Sequence, residues 1–157
     1  MELKSTLRVF NEADLAPGPG IAKGQSFKRL IGNAERPSER LFIGLATFKP
    51  GTLEHLHWHM VEAFHYVISG RATVRDINGG TTEVTSGSVI YAPPGLAGSH
   101  EWEVKEDLVL LTARATTDPD RNLQFTVDPA TKASTVDLAQ LIGKSTSGTP
   151  EFKRSLY

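Results

Sequence analysis

Short runs of alternating apolar and polar residues, separated by turn residues, cover the middle of this chain. A period of two places successive side chains on opposite faces and is typical of half-buried β-strands. Steps such as Pro50-Gly51, Asn78-Gly79 and Pro93-Pro94-Gly95 interrupt the runs and favour tight turns. The pattern predicts strands at 25–31, 40–48, 54–59, 63–69, 71–77, 81–85, 88–92, 100–104, 108–115 and 123–127.

No long segment with a helical period interrupts these runs, so we expect an all-β sandwich or barrel over residues 36–127. The proline-rich stretch 16–20 cannot form regular structure, which makes residues 1–35 an N-terminal arm and first strand. Near the other end, a Ser-Thr cap and Gly143 predict a short helix over 134–143 within a C-terminal segment, 128–157. Residues 144–157 are polar and are expected to form a tail.

The composition limits which classes of binding partner and which cellular compartment are expected. The chain has 157 residues, 17 basic and 18 acidic side chains, and a formal net charge of -1. This balance provides no overall positive field, which argues against nucleic acid and against an anionic membrane as partners. The chain contains no cysteine, no signal-peptide pattern and no apolar run of membrane-spanning length. We therefore expect a cytoplasmic, soluble protein.

The histidines give the strongest indication of chemistry. All five, His55, His57, His59, His65 and His100, lie in the central region, and without cysteine any metal site must use histidine or carboxylate ligands. In a strand, residues two apart share a face, so His55, His57 and His59 are predicted to project the same way. His65 and His100 can approach them from neighbouring strands. A set of histidine ligands of this kind favours divalent ions of borderline softness.

Two glycine-anchored motifs frame these histidines. The first has a glycine, five residues, a His-x-His pair and a later glycine, and the second has a glycine, five residues and Pro-x-Gly. Their positions are Gly51, His57, His59, Gly70, Gly87, Pro93 and Gly95. Over residues 40–115 this arrangement resembles the cupin superfamily. The resemblance implies a small double-stranded β-helix, or jelly roll, that holds a metal or a small-molecule substrate inside, and a homodimer formed through N-terminal strands.

The sequence departs from the cupin motifs at two ligand positions. The glutamate of the first motif is replaced by Ala63, and the histidine of the second motif by Gly98. A histidine follows each of these positions by two residues, His65 after Ala63 and His100 after Gly98. A shift of two residues keeps a side chain on the same face of a strand. Glu62, one residue early, is a competing replacement. The pattern resembles the glutamate-lacking cupins, such as the gentisate, salicylate and diketone-cleaving dioxygenases.

From this resemblance we expect His57, His59 and His100 to hold a divalent ion, with His65 as a fourth ligand. Alternatively, His65 or Glu62 acts as the catalytic acid or base. Neutral imidazoles leave the ion its full charge, so the site would be a strong Lewis acid for an anionic chelating substrate.

We expect Fe(II), with Zn, Ni, Mn or Cu as alternatives, and a dioxygenase acting on a small chelating organic acid, phenol or diketone. Two other functions stay open. One is a non-oxidative isomerase, cyclase, lyase or dehydratase, and the other is a cupin that binds a small ligand without turnover. Trp102 is expected to line the pocket, and His55 to lie at its rim.

Overall fold

The computed structural model describes residues 3–118 and 121–136, which form two six-stranded antiparallel sheets. The twelve strands are β1 (Gly18–Pro19), β2 (Gln25–Ile31), β3 (Phe42–Phe48), β4 (Leu53–His59), β5 (Ala63–Ser69), β6 (Arg71–Asp76), β7 (Thr81–Thr85), β8 (Val89–Ala92), β9 (His100–Val104), β10 (Leu108–Arg114), β11 (Gln124–Val127) and β12 (Ser134–Val136). The first sheet has the order β1-β2-β3-β10-β5-β8, and the second has the order β12-β11-β4-β9-β6-β7.

The all-β expectation is confirmed, and each strand predicted from alternation begins and ends within two residues of its predicted bounds. The expectation that residues 16–20 form no regular structure is wrong, because Gly18 and Pro19 form strand β1, which pairs antiparallel with β2. Helical structure among the described residues is limited to two 3-10 turns, Glu12–Asp14 and Leu96–Gly98. In the same part of the chain, no helix has the length and apolarity needed to cross a membrane.

The predicted helix over 134–143 is wrong at its start, because Ser134–Val136 is strand β12 and pairs with β11. Ser134 does act as a hydrogen-bond acceptor, but for a side chain instead of a helix N-terminus. Its buried Oγ accepts a 2.9 Å hydrogen bond from Nε1 of Trp58. The rest of the predicted helix and the tail at 144–157 lie outside the described residues.

The main core lies between the sheets, because both sheets contribute buried side chains to one cluster. Its members are Ala46, Phe48, Val67, Leu108 and Leu110 from the first sheet and Ala72, Val84, Trp102 and Val104 from the second. A second cluster covers the outer face of β4 and β11, where the Trp58 ring stacks on Phe125 with centroids 4.2 Å apart. The inner face of β4 is thereby directed toward the space between the sheets.

Candidate metal centre

A β-bulge in β4 decides which of its side chains face the interior. Glu54 pairs with Trp102 and His57 pairs with His100. Between these two pairs β4 advances by three residues and β9 by two, so β4 contains one extra residue. Glu54 and His57 are therefore both buried, whereas the His55 side chain is exposed. The prediction that His55 shares a face with His57 is wrong, because the extra residue breaks the period of two.

Three buried histidines converge on the inner face of the second sheet. His57 and His100 are register partners on β4 and β9, and His59 follows two residues along β4. One potential ligand atom from each lies within 4.8 Å of the others. Their ring centroids are 4.4 Å apart for His57 and His100, 5.1 Å for His57 and His59, and 5.7 Å for His59 and His100.

Backbone carbonyls define the tautomers of two of these rings. Nδ1 of His57 lies 2.7 Å from the His55 carbonyl oxygen, and Nδ1 of His100 lies 2.9 Å from that of Gly98. A carbonyl only accepts, so each Nδ1 carries the proton and each Nε2 keeps its lone pair. A second hydrogen bond of this kind is what commonly orients a metal-ligating histidine.

The cluster is neutral near pH 7. Burial lowers the pKa of His57 to about 4 and that of His100 to about 3. Burial, followed by the charge of Arg114, holds the pKa of His59 well below its usual range. A neutral imidazole is the form that binds a metal, so these rings need no deprotonation to do so.

Packing around Gly98 gives a physical reason for the displaced histidine of the second motif. A Cβ at Gly98 would lie 1.9 Å from the Pro93 carbonyl oxygen, so no side chain fits there. His100, at the start of β9, is buried and contacts the other imidazoles instead.

His65 lies beside the three converging histidines, on the facing sheet. Its ring centroid is 5.4 Å from that of His100 and 5.6 Å from that of Trp102. Burial, together with the charge of Arg114, holds the pKa of His65 well below its usual range. Neither of its ring nitrogens has a hydrogen-bond partner.

The structure adds two charged residues that the sequence did not identify. Arg114, at the end of β10, is half-buried beside the cluster, and its Nη2 lies 3.5 Å from Nε2 of His59. Burial lowers its pKa to about 10, which leaves the guanidinium charged at pH 7. Alternation along β10 places Arg114 on the inner face with Leu110 and Thr112, so the sequence did contain this signal.

Glu54 is the second charged residue of the site that the sequence did not identify, because the bulge in β4 changes which side chains face inward. Its Oε1 lies 4.0 Å from Nε2 of His57 and accepts a 3.4 Å hydrogen bond from Nε2 of Gln124. Burial raises the pKa of this carboxyl, and the hydrogen bond from Gln124 opposes that shift.

The structure does not bring Glu62 to the site. Its side chain is exposed, and Oε1 accepts a 2.7 Å hydrogen bond from the Tyr91 hydroxyl. Strand alternation explains this placement, because Ala63 and His65 occupy the inward positions of β5 and Glu62 precedes them by an odd number of residues.

All buried side-chain nitrogen and oxygen atoms that lack a hydrogen-bond partner in residues 3–118 and 121–136 belong to this region. They are Nδ1 of His59, both ring nitrogens of His65, Nε2 of His100, Oγ1 of Thr112 and Nε of Arg114. Unsatisfied buried polar atoms are costly and uncommon in proteins, so their concentration in one place indicates that a ligand completes them.

A cavity reaches this region and encloses about 310 Å³ of atom-free space, counting its open mouth. Its lining combines the polar cluster with aromatic and aliphatic side chains, namely Gln25, Phe27, Ala46, Phe48, Glu54, His57, His59, His65, Trp102, Leu110, Thr112 and Arg114. Much of this space belongs to the open mouth, so the enclosed part accommodates only a small ligand.

Comparison with protein families agrees with this architecture, since residues 44–114 match the model of the cupin domain. The central part of this chain is a cupin domain. The matched residues begin in β3 and end with Arg114, so they include the three converging histidines, His65 and both glycine-anchored motifs.

Similar proteins extend the comparison. An uncharacterised protein of Streptomyces coelicolor is 36% identical over 70 residues, which are 44% of this chain and 64% of that protein, so less than two-thirds of the relative is covered. The cupin domain also superposes on the oxalate decarboxylase of Bacillus subtilis with a TM-score of 0.58 and 27% identity. That match covers 73% of this chain and 31% of the decarboxylase.

Two more distant structures share the fold. The polyketide cyclase RemF from Streptomyces resistomycificus has a TM-score of 0.60 at 19% identity, covering 72% of this chain and 81% of the cyclase. KdgF from Halomonas sp. has a TM-score of 0.61 at 17% identity, covering 72% and 98% of the two chains. At this identity the likeness concerns the fold alone.

Proposed function

We propose that this cupin domain is a metal-dependent enzyme that acts on a small chelating organic molecule. The observation that carries the proposal is the convergence of three buried imidazoles in a region where all the described unsatisfied polar atoms are found. The oxalate decarboxylase relative supports a small organic acid as the substrate class.

His57, His59 and His100 would hold the ion, and their donor set suits a borderline divalent cation. When bound, the ion would supply Lewis-acid activation of a chelating substrate and, if it is Fe(II), reactivity toward dioxygen. The backbone hydrogen bonds to Nδ1 of His57 and His100 keep these two rings oriented.

Two roles are open to His65, because neither of its ring nitrogens has a hydrogen-bond partner. It can complete the ion's ligand set, or it can take and return a proton on a substrate held between the sheets. The first role accompanies our preferred reaction class, a dioxygenase with Fe(II). The second favours the non-oxidative alternative, in which an isomerase, cyclase, lyase or dehydratase needs an acid or base beside the ion.

Metal content tests the proposal. We expect the purified protein to carry about one divalent ion per chain, as measured by elemental analysis, and the His57→Ala and His100→Ala variants to lose it. His55→Ala is the matched control, because its side chain is exposed and it should retain the ion. Equal metal content in the wild-type protein and His57→Ala would contradict the proposal.

The dependence on oxygen separates the two reaction classes once a substrate is found. Turnover that stops under anaerobic conditions supports the dioxygenase, and turnover that continues supports the non-oxidative alternative.

A further inference from the structure

The cavity lining includes a half-buried cation, Arg114, that forms no ion pair within the described ranges. We propose that Arg114 binds a carboxylate group of the substrate, which makes the substrate a small organic acid instead of a phenol or a neutral diketone. This inference rests on the proposed function and narrows it.

The contacts of Arg114 leave part of its guanidinium free. Nη1 donates a 2.7 Å hydrogen bond to Oδ1 of Asn122, and Nη2 lies 3.5 Å from Nε2 of His59. Nε is buried and has no partner, and no carboxylate oxygen in the described ranges lies within 4.0 Å of the guanidinium. Asn122 thus positions the side chain without neutralising it.

A buried charge is normally paired, because removing it from water is costly. Glu54 is the acidic side chain of the cavity lining and its charge attracts Arg114, but its oxygen contacts are with Gln124 and His57. The charge of Arg29 adds to the positive potential around Arg114. The position therefore favours an anion that enters from the cavity.

The chemistry of the guanidinium favours a carboxylate. Arginine presents its donors in a planar fork that matches the two oxygens of a carboxylate, and such pairs are stronger than neutral hydrogen bonds. Oγ1 of Thr112, two residues earlier on the same face of β10, is also buried and unpartnered. It offers a further hydrogen bond to the same ligand.

Arg114 is close enough to the candidate metal site for one small molecule to reach both. Because Nη2 of Arg114 lies only 3.5 Å from Nε2 of His59, a ligand a few atoms long that enters from the cavity can contact both the guanidinium and the imidazole cluster. A short organic acid with a second oxygen donor meets both requirements.

Malonate and acetylacetone form a matched pair of probes. Both are β-dicarbonyl chelators of the same shape, but malonate has carboxylate oxygens where acetylacetone has methyl groups. We would measure their binding to the Zn(II)-loaded protein by calorimetry, in the wild type and in Arg114→Met. Arg71→Met, on an exposed arginine outside the cavity lining, is the matched control.

We expect Arg114→Met to weaken malonate binding about tenfold or more, the usual effect of losing a hydrogen bond to a charged group. Acetylacetone binding and metal content should change less than about threefold. Arg114→Lys retains the charge but not the planar fork, so it should lose an intermediate amount of malonate affinity. This variant still tests the inference if Arg114→Met does not fold.

The outcomes separate this inference from the proposed function. A fully metal-loaded Arg114→Met that binds malonate as tightly as the wild type overturns the inference and leaves the metal site intact. A wild-type protein that takes up no metal overturns the proposed function. In that case, malonate binding to the metal-free protein that is lost in Arg114→Met still supports the carboxylate site, and binding that is absent or unaffected by the substitution refutes it.

Discussion

At the residue scale, His65 combines burial with two unsatisfied ring nitrogens between the sheets. Each such atom has lost water without gaining a partner, which costs free energy in the metal-free protein. Proteins tolerate this cost at sites where the atom serves a ligand. The same reasoning applies to Thr112 and Arg114 on the neighbouring strand, β10.

Replacing His65 with leucine should therefore stabilise the metal-free protein. We expect His65→Leu to raise the free energy of unfolding by about 1–3 kcal/mol, because an apolar side chain of similar size removes the unsatisfied atoms. Urea unfolding in the presence of a chelator measures this effect. His55→Leu, on the exposed side of β4, should change stability by less than about 0.5 kcal/mol.

A marked loss of stability in His65→Leu would contradict this account. It would show that the imidazole makes a structural contribution that its present contacts do not reveal.

At the scale of elements, alternation along the chain located the strands, because half-buried strands impose a period of two on the sequence. The bulge in β4 broke that period, and it could not be predicted because it depends on pairing with a distant strand, β9. This one feature turned His55 outward and brought Glu54 inward. Strand β12 was misjudged for a related reason, since Ser134 accepts its hydrogen bond from Trp58, 76 residues away.

The candidate site was predictable where motif spacing and strand parity agree, as at His57, His59, His65 and His100. It was not predictable where contacts between residues distant in the sequence determine the arrangement. The clash that a side chain at Gly98 would make with Pro93 is such a case, as is the carboxyl of Glu54 beside His57. Alternation predicts that Arg114 lies on the inner face, but only its contacts with Asn122 and His59 distinguish it from an exposed arginine at a strand end.

At the scale of the whole molecule, two sheets contribute different chemistry to one cavity. The second sheet provides His57, His59 and His100, whereas the first provides His65 and Arg114. The fold thus surrounds the candidate metal position with neutral imidazoles on one side and a cation on the other. Such an arrangement favours an anionic ligand between the sheets.

The buried imidazoles also make stability dependent on pH. Because folding lowers their pKa values, the unfolded chain takes up protons below about pH 6.5 that the folded chain does not. Stability should therefore be constant above about pH 7.5 and decrease as the pH falls from 6.5 toward 4, by up to about 1.4 kcal/mol per pH unit for each histidine. The raised pKa of Glu54 acts in the opposite direction but is a single group.

Urea midpoints of the metal-free protein at pH 8, 7, 6 and 5 test this dependence. We expect a steady decrease below pH 6.5, and a midpoint that does not change between pH 7 and pH 5 would contradict the buried, neutral state of the cluster.

An anomalous difference map, recorded at the absorption edge of the metal found in the purified protein, tests directly whether the three histidines hold an ion. We expect one strong peak per chain, bounded by the rings of His57, His59 and His100 and within reach of the cavity that Arg114 lines. A metal-containing crystal whose peak lies elsewhere, or purified protein that shows no peak after incubation with divalent ions, would contradict it.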